Sequence, residues 1–413
     1  MLTPNDVFTP GSLPIRPTNI YAARGSSEET FRKALKRNLI PVVFGEYGVG
    51  KTSMARHILR DKDDSGLLIN IKSAADKTIE DIFTQCLETL GYTVEVKHLA
   101  TNSSSISAEQ SMQVGAKTKN FNALLASKKA ITTTEIHQVE HQLLVTSPTD
   151  SKLIDVCERF GVALLIDELH RASGAFASDL SKFIKSFGNS NCQKFKIVLL
   201  GTSSDASKLV SSDPGIDRLI QEVHLKAMSE DECRYVVTRG MADLHIACSE
   251  EVTAKIVKSC VGSPSILQYL SLEVAEVAFE RNPRIAYSTD VEVAIRNFVE
   301  TKEARLNKSY VAAVETTGEL RYRKQILRAI SECEDEYVTM EDIRTKVSGY
   351  LGKDVPSTAL SGPLRDLKTE RYGMVLTDVD RPDGSDRLNN YTTFKDPALK
   401  AFIRLQVLRE EED

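Results

Sequence analysis

Gly45-Glu46-Tyr47-Gly48-Val49-Gly50-Lys51-Thr52 sets three glycines, a lysine and a hydroxyl at the spacing of a loop that wraps phosphate. Glycines let successive N–H groups converge on a phosphate oxygen without obstruction from Cβ. A helix beginning at the loop adds positive potential to those donors. In that chemistry Lys51 reaches the β- and γ-phosphates and the Thr52 hydroxyl ligates Mg²⁺, with Ser53 at the helix start. The bland alternative is a glycine-rich turn that binds nothing.

The flanking segments supply the scaffold this chemistry needs. Leu39-Ile40-Pro41-Val42-Val43-Phe44 reads as a buried strand, and Ser53 to Leu59 has helical character. Val162-Ala163-Leu164-Leu165-Ile166 is a second continuous apolar run, which ends in Asp167-Glu168. Such runs are strands buried on both faces of a parallel sheet, and ligands bind outside the carboxyl ends of such strands. There Asp167 would hold Mg²⁺ through water, and Glu168 would orient or deprotonate an attacking water. Leu67 to Ile71 and Phe195 to Leu200 bring the expectation to at least four parallel strands alternating with helices. The chemistry implied is binding of a nucleoside triphosphate, ATP with Mg²⁺.

The chain resembles an AAA+ ATPase of the origin-recognition-complex-type initiator group, with relatives among STAND ATPases and transposition-regulator ATPases. The likeness is carried by Gly45 to Thr52 (Walker A), Ile166-Asp167-Glu168 (Walker B), Leu200-Gly201-Thr202-Ser203-Ser204-Asp205 and Asp213-Pro214-Gly215-Ile216-Asp217-Arg218-Leu219. It implies that Ser204, with Thr202 and Ser203 as rivals, touches the γ-phosphate; initiators carry Asn there, and a plain helix cap is the other reading. It also implies that Arg218 is an arginine finger reaching a neighbouring subunit's nucleotide, against the reading of a surface arginine. Initiators often place an arginine early in a lid helix, but Ser259 to Leu267 contains none. That segment resembles the Gly-x-Pro motif of STAND ATPases, with Pro264 near the adenine base. Gly262 and Pro264 equally suit the end of one helix and the start of the next. The missing arginine points to slow hydrolysis or switch-like use of ATP.

The expected fold class is α/β: a P-loop parallel sheet sandwiched by helices, a helical lid and a C-terminal winged-helix domain. The boundaries expected are an arm over 1–17, the nucleotide-binding domain over 18–228, a lid over 229–301, a linker over 302–318 and the winged helix over 319–408. An insertion over about 92–150 carries Lys117, Lys119, Lys128 and Lys129 and reads as a hairpin against phosphates or as a solvated loop. His137 and His141 share one helical face by spacing, without the further ligands a metal needs. In the last domain, helices over Lys324 to Cys333, Met340 to Tyr350 and Pro363 to Arg371 precede two strands and a closing helix. Arg365, Lys368, Arg371, Arg381 and Arg387 could face DNA, against Asp366 and Glu370.

A net charge of −5 argues against wholesale coating of nucleic acid, while a local basic face stays possible. The seven cysteines are scattered without a CxxC pair, so neither a disulfide framework nor a zinc ribbon is indicated. No apolar run spans a bilayer, and the expectation is a cytoplasmic protein. Homo-oligomers, an effector protein and duplex DNA are the expected partners. The resemblance implies an assembly switch in bacterial mobile-element or phage-defence settings, or alternatively an initiator or transposition regulator forming a ring or filament on DNA.

Overall fold

The computed structural model describes residues 2–10, 20–60, 68–73, 77–91, 93–97, 139–143, 149–169, 173–201, 214–315, 322–333, 335, 337–379 and 391–412. In chain order the strands are β1 (Ile40–Phe44), β2 (Leu68–Lys72), β3 (Thr93–Lys97), β4 (Val139–Leu143), β5 (Ala163–Asp167), β6 (Lys196–Gly201), β7 (Ile220–His224), β8 (Ala247–Cys248), β9 (Ile285–Ala286), β10 (Leu376–Val379) and β11 (Tyr391–Phe394). The chain divides into two compact units, Met1–Ile79 with Thr149–Asp413, and Glu80–Pro148.

The larger unit is built on a five-stranded parallel sheet in the order β2-β5-β6-β1-β7. The expected α/β sheet is therefore present, with β6 between the strand that leads into the phosphate loop and the strand that ends in Asp167. Proline is unusual inside a sheet because it has no N–H to donate. Here β1 pairs with β6 only from Val42 onward, one residue past Pro41. Val42, Val43, Leu164, Leu165, Ile166, Val198 and Leu199 are all at most 1% exposed, as covered faces on both sides require.

After β7 come the helices Glu230–Asp243, Glu250–Ser259, Pro264–Phe279 and Ser288–Asn297. Their starts are written locally. Ser229 accepts from the Glu232 N–H while Glu232 reaches back to Ser229, and Ser249 caps the next helix. The N-terminal turn Pro4–Val7 packs against these helices, with Val7 and Phe8 fully buried. Phe8 lies so close to Gly240 that a Cβ there would come within 2.2 Å of its ring.

The last part of the unit holds the helices Arg323–Glu332, Met340–Leu351 and Ser357–Asp366, the antiparallel pair β10–β11, and the closing helix Ala398–Glu412. The third helix differs from the sequence expectation. It begins at Ser357, and Pro363 lies inside it instead of opening it. Pro363 has no N–H for the Ala359 carbonyl, and the helix ends at Asp366, within a turn of it, with the Leu367 N–H returning to the Pro363 carbonyl. The turn holding Arg381 and Arg387 lies outside the described residues.

In the smaller unit β3 and β4 form an antiparallel pair that places His141 opposite Glu95. His141 is thus on a strand and not on the helix its spacing from His137 suggested. The alternating Thr93-Val94-Glu95-Val96-Lys97 supplies a β-branched partner that outweighs an i,i+4 coincidence. His137, Lys117, Lys119, Lys128 and Lys129 lie outside the described residues. Among the described residues no helix is long and apolar enough to cross a membrane.

Candidate functional site

The phosphate loop connects β1 to the helix Lys51–Arg60. Its backbone takes positive φ at Gly48 and Gly50, and Gly45 comes so near β7 that a Cβ would sit 2.1 Å from the Leu225 carbonyl oxygen. No other residue type fits that first position. Val49 is buried in the core over the sheet, so only its backbone faces the loop interior, where its carbonyl accepts from Arg24 at 2.7 Å. Tyr47 is exposed, and Lys51 donates to the carbonyls of Gly45 and Glu46 at 2.8 and 3.0 Å.

Asp167, at the end of β5, accepts from the Thr52 hydroxyl at 2.8 Å on one oxygen and from the Glu168 N–H at 2.8 Å on the other. The next residue, Glu168, has φ of 60°, a left-handed conformation rare for a glutamate. Ser73, just past β2, holds this turn: its hydroxyl lies 3.0 and 2.7 Å from the carbonyls of Asp167 and Glu168. Strained backbone fixed from outside in this way turns Glu168 off the strand and toward the cavity. There its carboxylate meets Lys72 at 3.0 Å.

Lys51, Thr52, Ser53, Asp167, Glu168 and Pro264 all line one cavity of about 740 Å³. Its other end is apolar, walled by Ile20, Ala22, Met228, Val236, Pro264 and Leu267. Tyr21 stacks on His57 beside it, ring centroids 4.0 Å apart, and donates its hydroxyl to Glu28. Burial and the neighbouring Glu28 push the Tyr21 phenol far above its ordinary value, so it stays neutral. Arg24, buried, joins three elements: it donates to Val49 and Lys226 carbonyls and pairs with Glu232 of the helix Glu230–Asp243 at 3.3 Å. Pro264 opens its helix at the wall beside Gly50, as the reading of the Gly262-Ser263-Pro264 turn as a helix start expects.

One expected residue is outside the cavity. Arg218 sits on the turn Pro214–Leu219 ahead of β7, exposed, and does not line the cavity. Ser204, with Thr202 and Ser203, lies outside the described residues. The Glu46 side chain also leaves the cavity; it turns to the closing helix, where Arg404 and Lys400 hold it.

Sequence reasoning missed Lys72, Ser73 and Asn70, whose positions on or just past β2 bring them beside Glu168 only through strand pairing. Asn70 lines the cavity with its buried Oδ1 unpaired among the described residues. Among those residues no cluster of three or more His, Cys, Asp or Glu could hold a metal. A hydroxyl backed by one carboxylate nevertheless suits Mg²⁺, which keeps several waters and takes its remaining oxygens from substrate phosphates.

Residues 33–210 match the family model described as AAA domain. No curated protein matches the chain. Among solved structures the chain is similar to Cdc6p from Pyrobaculum aerophilum, at 12% identity and a TM-score of 0.47, with 98% of each chain covered. It is similar to a Walker-type ATPase of Pyrococcus abyssi at 17% identity and a TM-score of 0.48, covering 95% of this chain and 98% of that one. The ADP form of the Aeropyrum pernix ORC2 protein gives 14% identity, a TM-score of 0.48 and 98% coverage of each.

Proposed function

We propose that the chain binds and hydrolyses ATP with Mg²⁺, and that it uses the nucleotide as an assembly-dependent switch acting on an effector protein. The observation that carries this reading is the hydrogen bond from Thr52 to Asp167, which joins loop helix and strand end in a cavity that also holds Lys51 and Glu168.

In this mechanism the loop N–H groups and Lys51 bind the β- and γ-phosphates, and Lys51 exchanges its two loop carbonyls for phosphate oxygens. Thr52 and Asp167 would hold Mg²⁺, which when bound neutralises charge between the phosphates. The apolar end of the cavity, with Pro264, takes the base. Glu168 orients and deprotonates the attacking water. Its pairing with Lys72 draws the carboxylate away from that task, which accords with slow turnover. Ser204 is assigned to the γ-phosphate. Arg218, exposed and without an ion pair among the described residues, is free to enter the site of a second copy.

In this reading the helices Arg323–Glu332, Met340–Leu351 and Ser357–Asp366 with β10 and β11 form a winged helix, and the protein is a cytoplasmic homo-oligomer in a mobile-element or phage-defence setting. Turnover per chain should then rise with protein concentration. Arg218→Ala should abolish that rise, and mixing it with Lys51→Ala protein should restore some activity at mixed interfaces. Absence of rescue, with assembly shown by sedimentation, removes the assembly-dependent part.

A second reading has a specific observation behind it. On the third helix and the turns that follow it, Lys368 is spent on Asp378 and Asp366 is drawn to Arg323, while Arg365 and Arg371 stay exposed. Two such cations support a DNA-binding initiator or transposition regulator with weak, salt-sensitive affinity for duplex DNA. Titration of labelled duplex at two salt concentrations separates the readings.

A further inference from the structure

The phosphate loop has a second face, and the C-terminal part of the chain holds it. The Glu46 carboxylate receives a two-pronged contact from the Arg404 guanidinium, both bonds 3.0 Å, and a third from Lys400 Nζ at 2.8 Å. The three side chains are 20%, 19% and 7% exposed, so solvent screens the cluster little. Both cations are set in place by backbone of their own domain: Arg404 by the carbonyls of Ser331 and Cys333, Lys400 by that of Asp335. A planar guanidinium fixed in this way presents a carboxylate-shaped site with little left to order.

Glu46 also carries the carbonyl to which Lys51 donates at 3.0 Å. One residue therefore touches the phosphate-binding lysine through its backbone and the closing helix through its side chain. The same docking brings Tyr337, Thr393 and Lys395 onto the cavity wall. The charge count matters as well. A bare carboxylate on a loop that receives phosphates repels them, whereas one carboxylate under two cations leaves net positive charge beside the loop.

We propose that Lys400 and Arg404 are positioning residues of the nucleotide site. By clasping Glu46 they fasten the C-terminal domain to the phosphate loop, so that docking of that domain and retention of nucleotide are linked. The inference rests on the nucleotide reading of the cavity. Linkage is reciprocal: if docking slows nucleotide loss, nucleotide tightens docking by the same factor.

The test uses the full chain and a fluorescent ADP analogue chased with unlabelled ADP, together with hydrogen exchange along the closing helix. Glu46→Gln and Arg404→Gln should each speed release by about 5- to 150-fold, the usual range of a coupling between two sites. The double variant should be no faster than the singles, because both break one contact. Nucleotide should protect the closing helix in the parent and not in the variants. Lys324→Gln, which removes an exposed pair with Glu410 on the same helix, should leave release unchanged. Parent-like release in both single variants, multiplying effects in the double, or an equal effect from Lys324→Gln overturns the proposal and leaves the nucleotide site standing. Failure of the parent to bind the analogue overturns the nucleotide reading instead.

Discussion

The two faces of the phosphate loop are held by different means. On the cavity face, Thr52, Asp167 and Ser73 are fixed by strand pairing and by one another, over distances of 2.8 to 3.0 Å. On the outer face, Glu46 is held by Arg404, a residue 358 positions away. The first arrangement needs only the sheet and serves the chemistry. The second exists only while the closing helix packs beside the loop, so it is suited to reporting on that packing. A loop whose inner face does chemistry and whose outer face senses docking can couple the two without any further part.

The largest effect expected of any single change is at Lys51. Lys51→Ala should abolish ATP binding in a filter or fluorescence assay, because it removes the cation assigned to the β- and γ-phosphates. The clasp should survive, leaving the closing helix as protected from exchange as in nucleotide-free parent. Loss of that protection would show that the two faces are not separable; retained ATP binding would sink the phosphate-loop assignment.

Glu168→Gln should be smaller and confined to the inner face. ATP binding and the clasp should persist while turnover drops by about 10²–10⁴-fold, the usual contribution of a positioned base. Unchanged hydrolysis would move the base elsewhere. Lys72→Met then sharpens the result, since releasing Glu168 from its 3.0 Å partner should raise turnover several-fold. A fall in turnover would instead make Lys72 part of the machinery.

Much of the inner face was legible in the sequence. The run Ile40 to Phe44 followed by Gly45 to Thr52, and the run Ala163 to Glu168, each join a period and a motif that agree. The turn at Gly262 to Pro264 was equally local. What stayed hidden depends on tertiary placement. Nothing in the spacing of Lys72 or Ser73 announces that β2 lies against β5. Pro363 reads as a helix start, although the helix already runs from Ser357 and the proline falls near its end. Glu46 looked like one more residue of the phosphate loop, since its partners lie at the far end of the chain.

The least of these effects should appear on acidification, and it belongs to the outer face alone. Burial by itself would raise the Glu46 carboxyl, but the hydrogen bonds and charges of Arg404 and Lys400 outweigh it and hold the pKa below the ordinary carboxylate value. A lowered pKa in the docked state means that docking is favoured in full above the ordinary carboxylate range. That contribution is lost as pH falls through the lowered value. The groups facing Glu46 are Arg404, Lys400 and, at its carbonyl, Lys51. The other carboxylates are common to the parent and Glu46→Gln, so their contributions cancel in the difference between the two. Release of the ADP analogue should therefore be slower from the parent than from Glu46→Gln at neutral pH. The two rates should converge as the pH drops below the carboxylate range. A difference that persists unchanged into acid would place the effect of Glu46→Gln on packing instead of charge, and the clasp would lose its electrostatic basis.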